Sequence, residues 1–206
     1  GWFNQAVTST HIRSLGDRYS CALLDDGRLR CAGFDMSDQV SGVTLSSQGR
    51  PRRDWTEVSA GMNHTCGVAS GDIYCWGLNY DGRGTAPLLP LEEDTDEQSP
   101  GLNWKRVGVG VAHTCGETTS GTIRCWGNVL NGQDQVPVRS DDNPIRDWMT
   151  WDTGGFHTCG IREDGDLLCW GGGNNPQVQV PDLLVTEGTW VNVSAGYEHT
   201  CGLTSL

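Results

Sequence analysis

The sequence holds no run of about eighteen apolar residues, which excludes a membrane-spanning helix. Basic residues are scarce: 14 Lys and Arg stand against 26 Asp and Glu, giving a formal net charge of -12. A phosphate backbone would be repelled by such a surface, so nucleic acid is not an expected partner. The short cluster Arg50, Arg52 and Arg53 is interrupted by Pro51 and reads as a solvated loop. Closely spaced Cys-x-x-Cys pairs are absent, which argues against structural zinc. Also missing are Gly-x-Ser-x-Gly, a P-loop, His-Glu-x-x-His and a dinucleotide fingerprint, so neither an enzyme nor a cofactor is expected. The acidic runs Asp141-Asp142-Asn143 and Glu92 to Glu97 do not follow EF-hand spacing and read as solvated loops. Gly1-Trp2-Phe3-Asn4 lacks the charged and apolar regions of a signal peptide, so a secreted protein would be read here in its mature form.

What the chain does hold is 29 Gly, nine Trp and nine Cys in 206 residues, a composition of many short strands joined by tight turns. The residues recur in order. Trp55, Val58 and Gly61 lead to His64-Thr65-Cys66-Gly67, then Ser70-Gly71, then Cys75-Trp76-Gly77. The order returns at Trp104, Val107, Gly110, His113-Thr114-Cys115-Gly116, Ser120-Gly121 and Cys125-Trp126-Gly127. It returns again at Trp148, Trp151, Gly154, His157-Thr158-Cys159-Gly160, Asp164-Gly165 and Cys169-Trp170-Gly171. A last copy, Trp190 to His199-Thr200-Cys201-Gly202, lacks a second Cys and a Trp-Gly, and a degenerate first copy has Tyr19-Ser20-Cys21, Asp26-Gly27 and Cys31-Ala32-Gly33. Successive first cysteines (21, 66, 115, 159, 201) are 45, 49, 44 and 42 residues apart. That period belongs to propeller blades.

The fold expected is therefore an all-β propeller, one domain over 1–206, with repeats at about 8–45, 46–94, 95–139, 140–182, and 183–206 plus 1–7. Each unit reads as a Trp strand, a His-Thr-Cys strand and a Cys-Trp-Gly strand. A fourth strand is expected near Val43, Pro87, Pro137 and Pro181, since Pro suits a strand start or edge. Gly1-Trp2-Phe3 is similar to Cys-Trp-Gly and would complete the fifth blade, closing a five-bladed ring. The same ends could instead join one molecule to the next.

The cysteine pairs bracket turn glycines. In three of them a three-residue loop with a left-handed Gly places Cys21 opposite Cys31, Cys115 opposite Cys125, and Cys159 opposite Cys169. Cys66 and Cys75 fit a two-residue turn or a bulge. Four disulfides are expected, leaving Cys201 unpaired or intermolecular. The four consensus histidines read either as a ring or, more economically, as residues packed between blades and hydrogen-bonded to backbone. Blade tryptophans read as core before they read as sugar platforms.

Trp76-Gly77-Leu78-Asn79 with Gly82, and Trp126-Gly127-Asn128 with Asn131-Gly132-Gln133, resemble the regulator of chromosome condensation repeat family, and the resemblance runs over nearly the whole chain. It implies a closed propeller. The paired cysteines depart from the intracellular members and look more like secreted relatives of the repeat.

Regular Cys pairs and the sequons at Asn63 and Asn192 point outside the cell. The expected function is a non-catalytic extracellular glycoprotein, acting as a structural or adhesive assembly or as a protein-binding module. A carbohydrate-binding lectin is the first alternative, and a secreted enzyme inhibitor or receptor ligand, by fold analogy with a secreted beta-lactamase inhibitor protein, is the second. Expected partners are an extracellular protein or glycan, or a second copy through the chain ends or Cys201. The longest insert into the repeat makes Leu91, Glu92, Glu93, Asp94 and Asp96 the first candidate recognition loop, ahead of Asn79, Tyr80, Asn131 and Asn174.

Overall fold

A computed structural model describes residues 13–43, 49–88, 103–173, 176–182 and 188–206. Among the described residues, four three-stranded antiparallel sheets and one two-stranded sheet follow one another in sequence. The first holds β1 (Arg13–Leu15), β2 (Tyr19–Leu23) and β3 (Leu29–Gly33). The second holds β4 (Trp55–Ala60), β5 (His64–Ala69) and β6 (Asp72–Gly77), and the third β7 (Trp104–Val109), β8 (His113–Thr118) and β9 (Ile123–Gly127). The fourth holds β10 (Trp148–Thr153), β11 (His157–Arg162) and β12 (Leu167–Gly171), and the fifth β13 (Trp190–Ala195) and β14 (Thr200–Thr204).

The repeat motif is explained strand by strand. A bulge sits at the same place in each first strand, between Trp55 and Glu57, Trp104 and Arg106, Trp148 and Thr150, and Trp190 and Asn192. The extra residue shifts the two-residue alternation, so that Trp55 and Val58 are both buried although three positions apart. Every residue of β5 and of β8 is buried, as befits central strands covered on both faces by neighbouring sheets. The Gly of His-Thr-Cys-Gly is demanded by the Trp of the paired strand: a Cβ on Gly67 would sit 2.8 Å from the Trp55 ring, and one on Gly160 2.7 Å from the Trp148 ring.

The hairpins set the cysteine register. Leu24 N–H donates to Arg28 O at 2.8 Å and Gly27 N–H to Leu24 O at 2.9 Å, with Gly27 at φ 75°, which is a three-residue loop with a left-handed glycine. Thr118 to Thr122 and Arg162 to Asp166 repeat it. The second sheet instead uses Ser70 and Gly71, both at positive φ (51° and 83°), the two-residue type I′ geometry. In all four hairpins the cysteines are direct cross-strand partners and are bridged: Cys21–Cys31, Cys66–Cys75, Cys115–Cys125 and Cys159–Cys169.

The turns between first and second strands converge on one axis. Gly16, Gly61, Gly110, Gly154 and Gly196, one from each sheet, line a funnel of about 250 Å3. Backbone bonds step around it, from Asp17 N–H to Gly61 O (3.3 Å), Val111 N–H to Gly155 O (2.9 Å) and Gly155 N–H to Gly196 O (3.0 Å). The arrangement is that of a propeller. The expected closing strand, Gly1-Trp2-Phe3, lies outside the described residues.

The expected fourth strand is not formed at the described positions. Val43, Pro87, Pro137 and Pro181 lie in irregular segments, with an isolated bridge between Val138 and Pro144 beside Pro137. The backbone in three of these loops is spent elsewhere: the carbonyls of Gln39, Arg83 and Gln177 accept side-chain donors from the next sheet, and Pro has no N–H to give a ladder.

Candidate functional site

The sheets are joined by a repeated polar clasp. His64 Nε2 lies 2.9 Å from Thr114 Oγ1, His113 Nε2 lies 3.3 Å from Thr158 Oγ1, and His157 Nε2 lies 2.7 Å from Thr200 Oγ1, each pair bridging one sheet to the next. Proton accounting fixes the tautomer. Thr114 Oγ1 donates its one hydrogen to Arg83 O at 2.8 Å, so His64 Nε2 must be the donor to Thr114 and Nδ1 is bare. Thr200 does the same toward Gln177 O at 3.0 Å. The consensus histidines thus sit between blades, as expected, but their partner is a threonine hydroxyl and not backbone. Burial, reinforced by Arg83 and His113, lowers His64 to about 3, and burial with His157 and Arg83 nearby lowers His113 to about 4. His157 is lowered by burial and then by His199.

The first sheet substitutes Tyr for His and wires itself differently. Tyr19 Oη donates to His64 O at 2.7 Å and lies 2.9 Å from Thr65 Oγ1, and burial pushes its phenol up to about 12. The series ends at the fifth sheet, where His199 is exposed.

Antiparallel order puts the funnel and the loop that follows each third strand at one end of the sheets, and the disulfide hairpins toward the other. On that loop face, Met36, Tyr80 and Leu130 occupy the same position, three residues after Gly33, Gly77 and Gly127, and are 83%, 89% and 88% exposed. Their loops are held in shape from within. Asp35 Oδ1 accepts from Val40 N–H at 2.7 Å, Asn79 Oδ1 from Gly84 N–H at 2.8 Å, and Gln133 Oε1 from Asn131 N–H at 2.9 Å. Asn79 is therefore a brace for its loop, with Nδ2 also 3.2 Å from Thr85 Oγ1. The signal for this face was in the sequence as the third residue of each loop, an apolar side chain in an otherwise largely polar turn.

Other sequence candidates are placed as follows. Leu91, Glu92, Glu93, Asp94, Asp96 and Asn174 lie outside the described residues. Asn192 is exposed on β13, whereas Asn63 is half-buried in a turn whose carbonyl accepts Leu78 N–H at 2.8 Å. Cys201 is a free, exposed thiol. Trp55, Trp76, Trp104, Trp148, Trp151 and Trp170 are buried in the core and offer no stacking platform at the surface.

Residues 152–177 match the regulator of chromosome condensation (RCC1) repeat. No curated protein sequence matches the chain. Among solved structures, Prp20p of Saccharomyces cerevisiae superposes with a TM-score of 0.72 at 13% identity, over 98% of this chain and 58% of that one; the work describing it concerns its binding to Gsp1p and histones. The ectodomain of the receptor kinase CR4 of Physcomitrella patens superposes at 0.64 with 20% identity, over 96% and 50%. The ectodomain of the Arabidopsis thaliana receptor kinase ACR4 superposes at 0.62 with 20% identity, over 99% and 63%. The chain spans about half to three fifths of these structures. It carries the RCC1 repeat and shares the fold of the RCC1-type β-propellers.

Proposed function

We propose that this chain is a non-catalytic protein-binding module of the extracellular space, and that it binds through the loop face. The observation that carries the reading is the row of Met36, Tyr80 and Leu130, three exposed apolar side chains at one repeat position on internally braced loops. Isolated exposed apolar residues are ordinary, but a repeated set on pre-shaped loops costs little ordering entropy to present to a partner. The loop containing Leu91 to Asp96 follows the Tyr80 loop in sequence and would add acidic contacts to the same partner. Four disulfides support an oxidising compartment, and the ectodomain neighbours are compatible with it. A glycan is proposed at the exposed Asn192 in preference to Asn63.

The test is a triple variant, Met36→Ser with Tyr80→Ser and Leu130→Ser, compared with the unaltered chain for retention of proteins from a cell-surface preparation. The proposal expects a specific band that the triple variant loses while its circular dichroism is unchanged. Equal retention by both would overturn the loop-face assignment.

A further inference from the structure

The seam between the third and fourth sheets departs from the pattern of the two before it. In the second and third sheets the Trp of the last strand turns its indole N–H to the loop of the preceding sheet: Trp76 Nε1 donates to Gln39 O at 2.9 Å and Trp126 Nε1 to Arg83 O at 3.0 Å. The same carbonyls accept the hydroxyls of Thr65 and Thr114, at 2.8 Å in both cases. Gln133 is the counterpart of Gln39 and Arg83, six residues past the Gly that closes the third strand, and it is buried. Yet Trp170 Nε1 is buried without a partner, and Thr158 Oγ1 meets His113 Nε2 and Cys115 Sγ, at 3.3 and 3.4 Å, in place of a loop carbonyl.

The chain also leaves β12 in its own way. Phe34, Leu78 and Asn128, each just after the Gly that closes a third strand, donate their backbone N–H to the carbonyls of Arg18, Asn63 and Ala112 at 2.8 to 3.0 Å. Gly172, their counterpart, makes no such backbone bond among the described residues. It lies in Gly171-Gly172-Gly173, at φ 81°, 67° and 62°, a left-handed run that residues with a Cβ rarely adopt. Gly173 N–H donates to Asn131 O at 3.1 Å, tying this run to the loop after β9, and a Cβ on Gly173 would meet nothing within 4 Å.

Between these two segments lies a cavity of about 530 Å3, within the roughly 300 to 1,000 Å3 of small-ligand sites. Leu130, Asn131 and Gln135 line it from the loop after β9, and Trp170, Gly173 and Val178 from the fourth sheet and the segment that follows it. Among the described residues no charged side chain lines it. A cation would find no carboxylate there, and the net charge of -12 disfavours an anion. The walls offer a buried donor without an acceptor, two exposed side-chain amides that both give and accept hydrogen bonds, and two aliphatic side chains. A buried N–H left unpaired is costly, and a ligand that brings the acceptor removes that cost.

We infer that this seam is a saccharide site and that its ligand is a neutral N-acetylhexosamine, whose acetamido carbonyl accepts the Trp170 indole hydrogen. The amide carbonyl is the strongest acceptor a neutral sugar carries, and the methyl beside it finds Leu130 or Val178. Asn131 and Gln135 take ring hydroxyls, which, like side-chain amides, are donors and acceptors at once. The site does not rest on the protein-binding reading.

The probe is N-acetylglucosamine, titrated into the full chain labelled with a nitrogen isotope and followed by the indole N–H resonances, with Trp170→Phe assigning the Trp170 signal. That signal is expected to move downfield and saturate, while those of Trp76 and Trp126, already hydrogen-bonded, stay in place. Asn131→Ala with Gln135→Ala, both at exposed positions, should leave the circular dichroism unchanged and weaken binding about tenfold. Glucose, which lacks the acetamido group, should also bind about tenfold more weakly. A Trp170 signal that does not move overturns the site. An equal response to acetate overturns it in favour of an anion site, and equal binding of glucose overturns the acetamido assignment. Unchanged affinity in the Asn131 and Gln135 variant would show a sugar filling a gap without recognition, and overturns it as well.

Discussion

His64 donates through Nε2 to Thr114 Oγ1 at 2.9 Å, across the seam between the second and third sheets, while Thr114 passes its own hydrogen to Arg83 O. Three residues from three segments share two hydrogen bonds, and neither can be made without the sheets being docked. Replacing Thr114 with Val keeps the volume and removes both bonds, leaving a buried imidazole N–H without an acceptor. The expected loss is about 1 to 3 kcal/mol, read as a lower denaturant midpoint.

The clasp also makes stability depend on acid. His64 and His113 are held below their ordinary value of 6.5, to about 3 and about 4, because a second ring proton on Nδ1 would be buried with no acceptor. The unfolded chain binds protons below about pH 6.5 that the folded chain refuses, so their contribution is full above that pH and declines as pH falls toward about 4. The slope is at most about 1.4 kcal/mol per pH unit for each histidine. Glu57 and Asp152, whose carboxyls are raised by burial, act in the opposite sense, so the histidine part is isolated by comparison with His113→Gln. That variant should be less stable at pH 7 and show a flatter decline between pH 6.5 and 4.5 in midpoint measurements.

The Cys159–Cys169 bridge closes a short hairpin already held by strand pairing. Changing both residues to Ala should cost about 2 to 3 kcal/mol, by the loop-closure entropy restored to the unfolded chain. Unfolding curves of the double variant, in the absence of reductant, give the value.

Gly27 and Gly82 have nearly the same backbone, at φ 75° and 77°. A Cβ on Gly27 would strike the Arg53 carbonyl, whereas one on Gly82 meets nothing within 4 Å. Gly82→Ala should cost about 1 kcal/mol, the left-handed penalty alone, and Gly27→Ala clearly more. Thermal melts of the two variants separate backbone strain from steric conflict.

The cysteine bridges were legible in the sequence because a pair spaced around a turn Gly fixes its own register over ten residues. The two-residue turn at Ser70 and Gly71 was one of two options that spacing left open. The clasps were not legible, because His64 and Thr114 belong to different repeats and their meeting depends on how sheets dock. Proline misled the reading at Pro87, Pro137 and Pro181: it suits a strand edge, but the loop before Pro87 gives the Arg83 carbonyl to Thr114 and Trp126, and the loop before Pro181 gives the Gln177 carbonyl to Thr200. The Tyr19 exception was visible as a substitution, whereas its hydroxyl's bond to His64 O depends on the neighbouring sheet. For the loop face, Tyr80 was singled out with its Asn neighbour, but the repeat of Met36 and Leu130 at the same position needed the loops' exposure to be seen.

The most direct measurement places a photo-reactive benzoylphenylalanine at Tyr80 on the loop face or at the exposed Glu163 in a disulfide hairpin, and irradiates each chain with a cell-surface preparation. Binding through the loop face predicts a discrete protein adduct from position 80 and none from position 163. An adduct from position 163 alone, or from neither position while the unaltered protein still retains its partner, would contradict it.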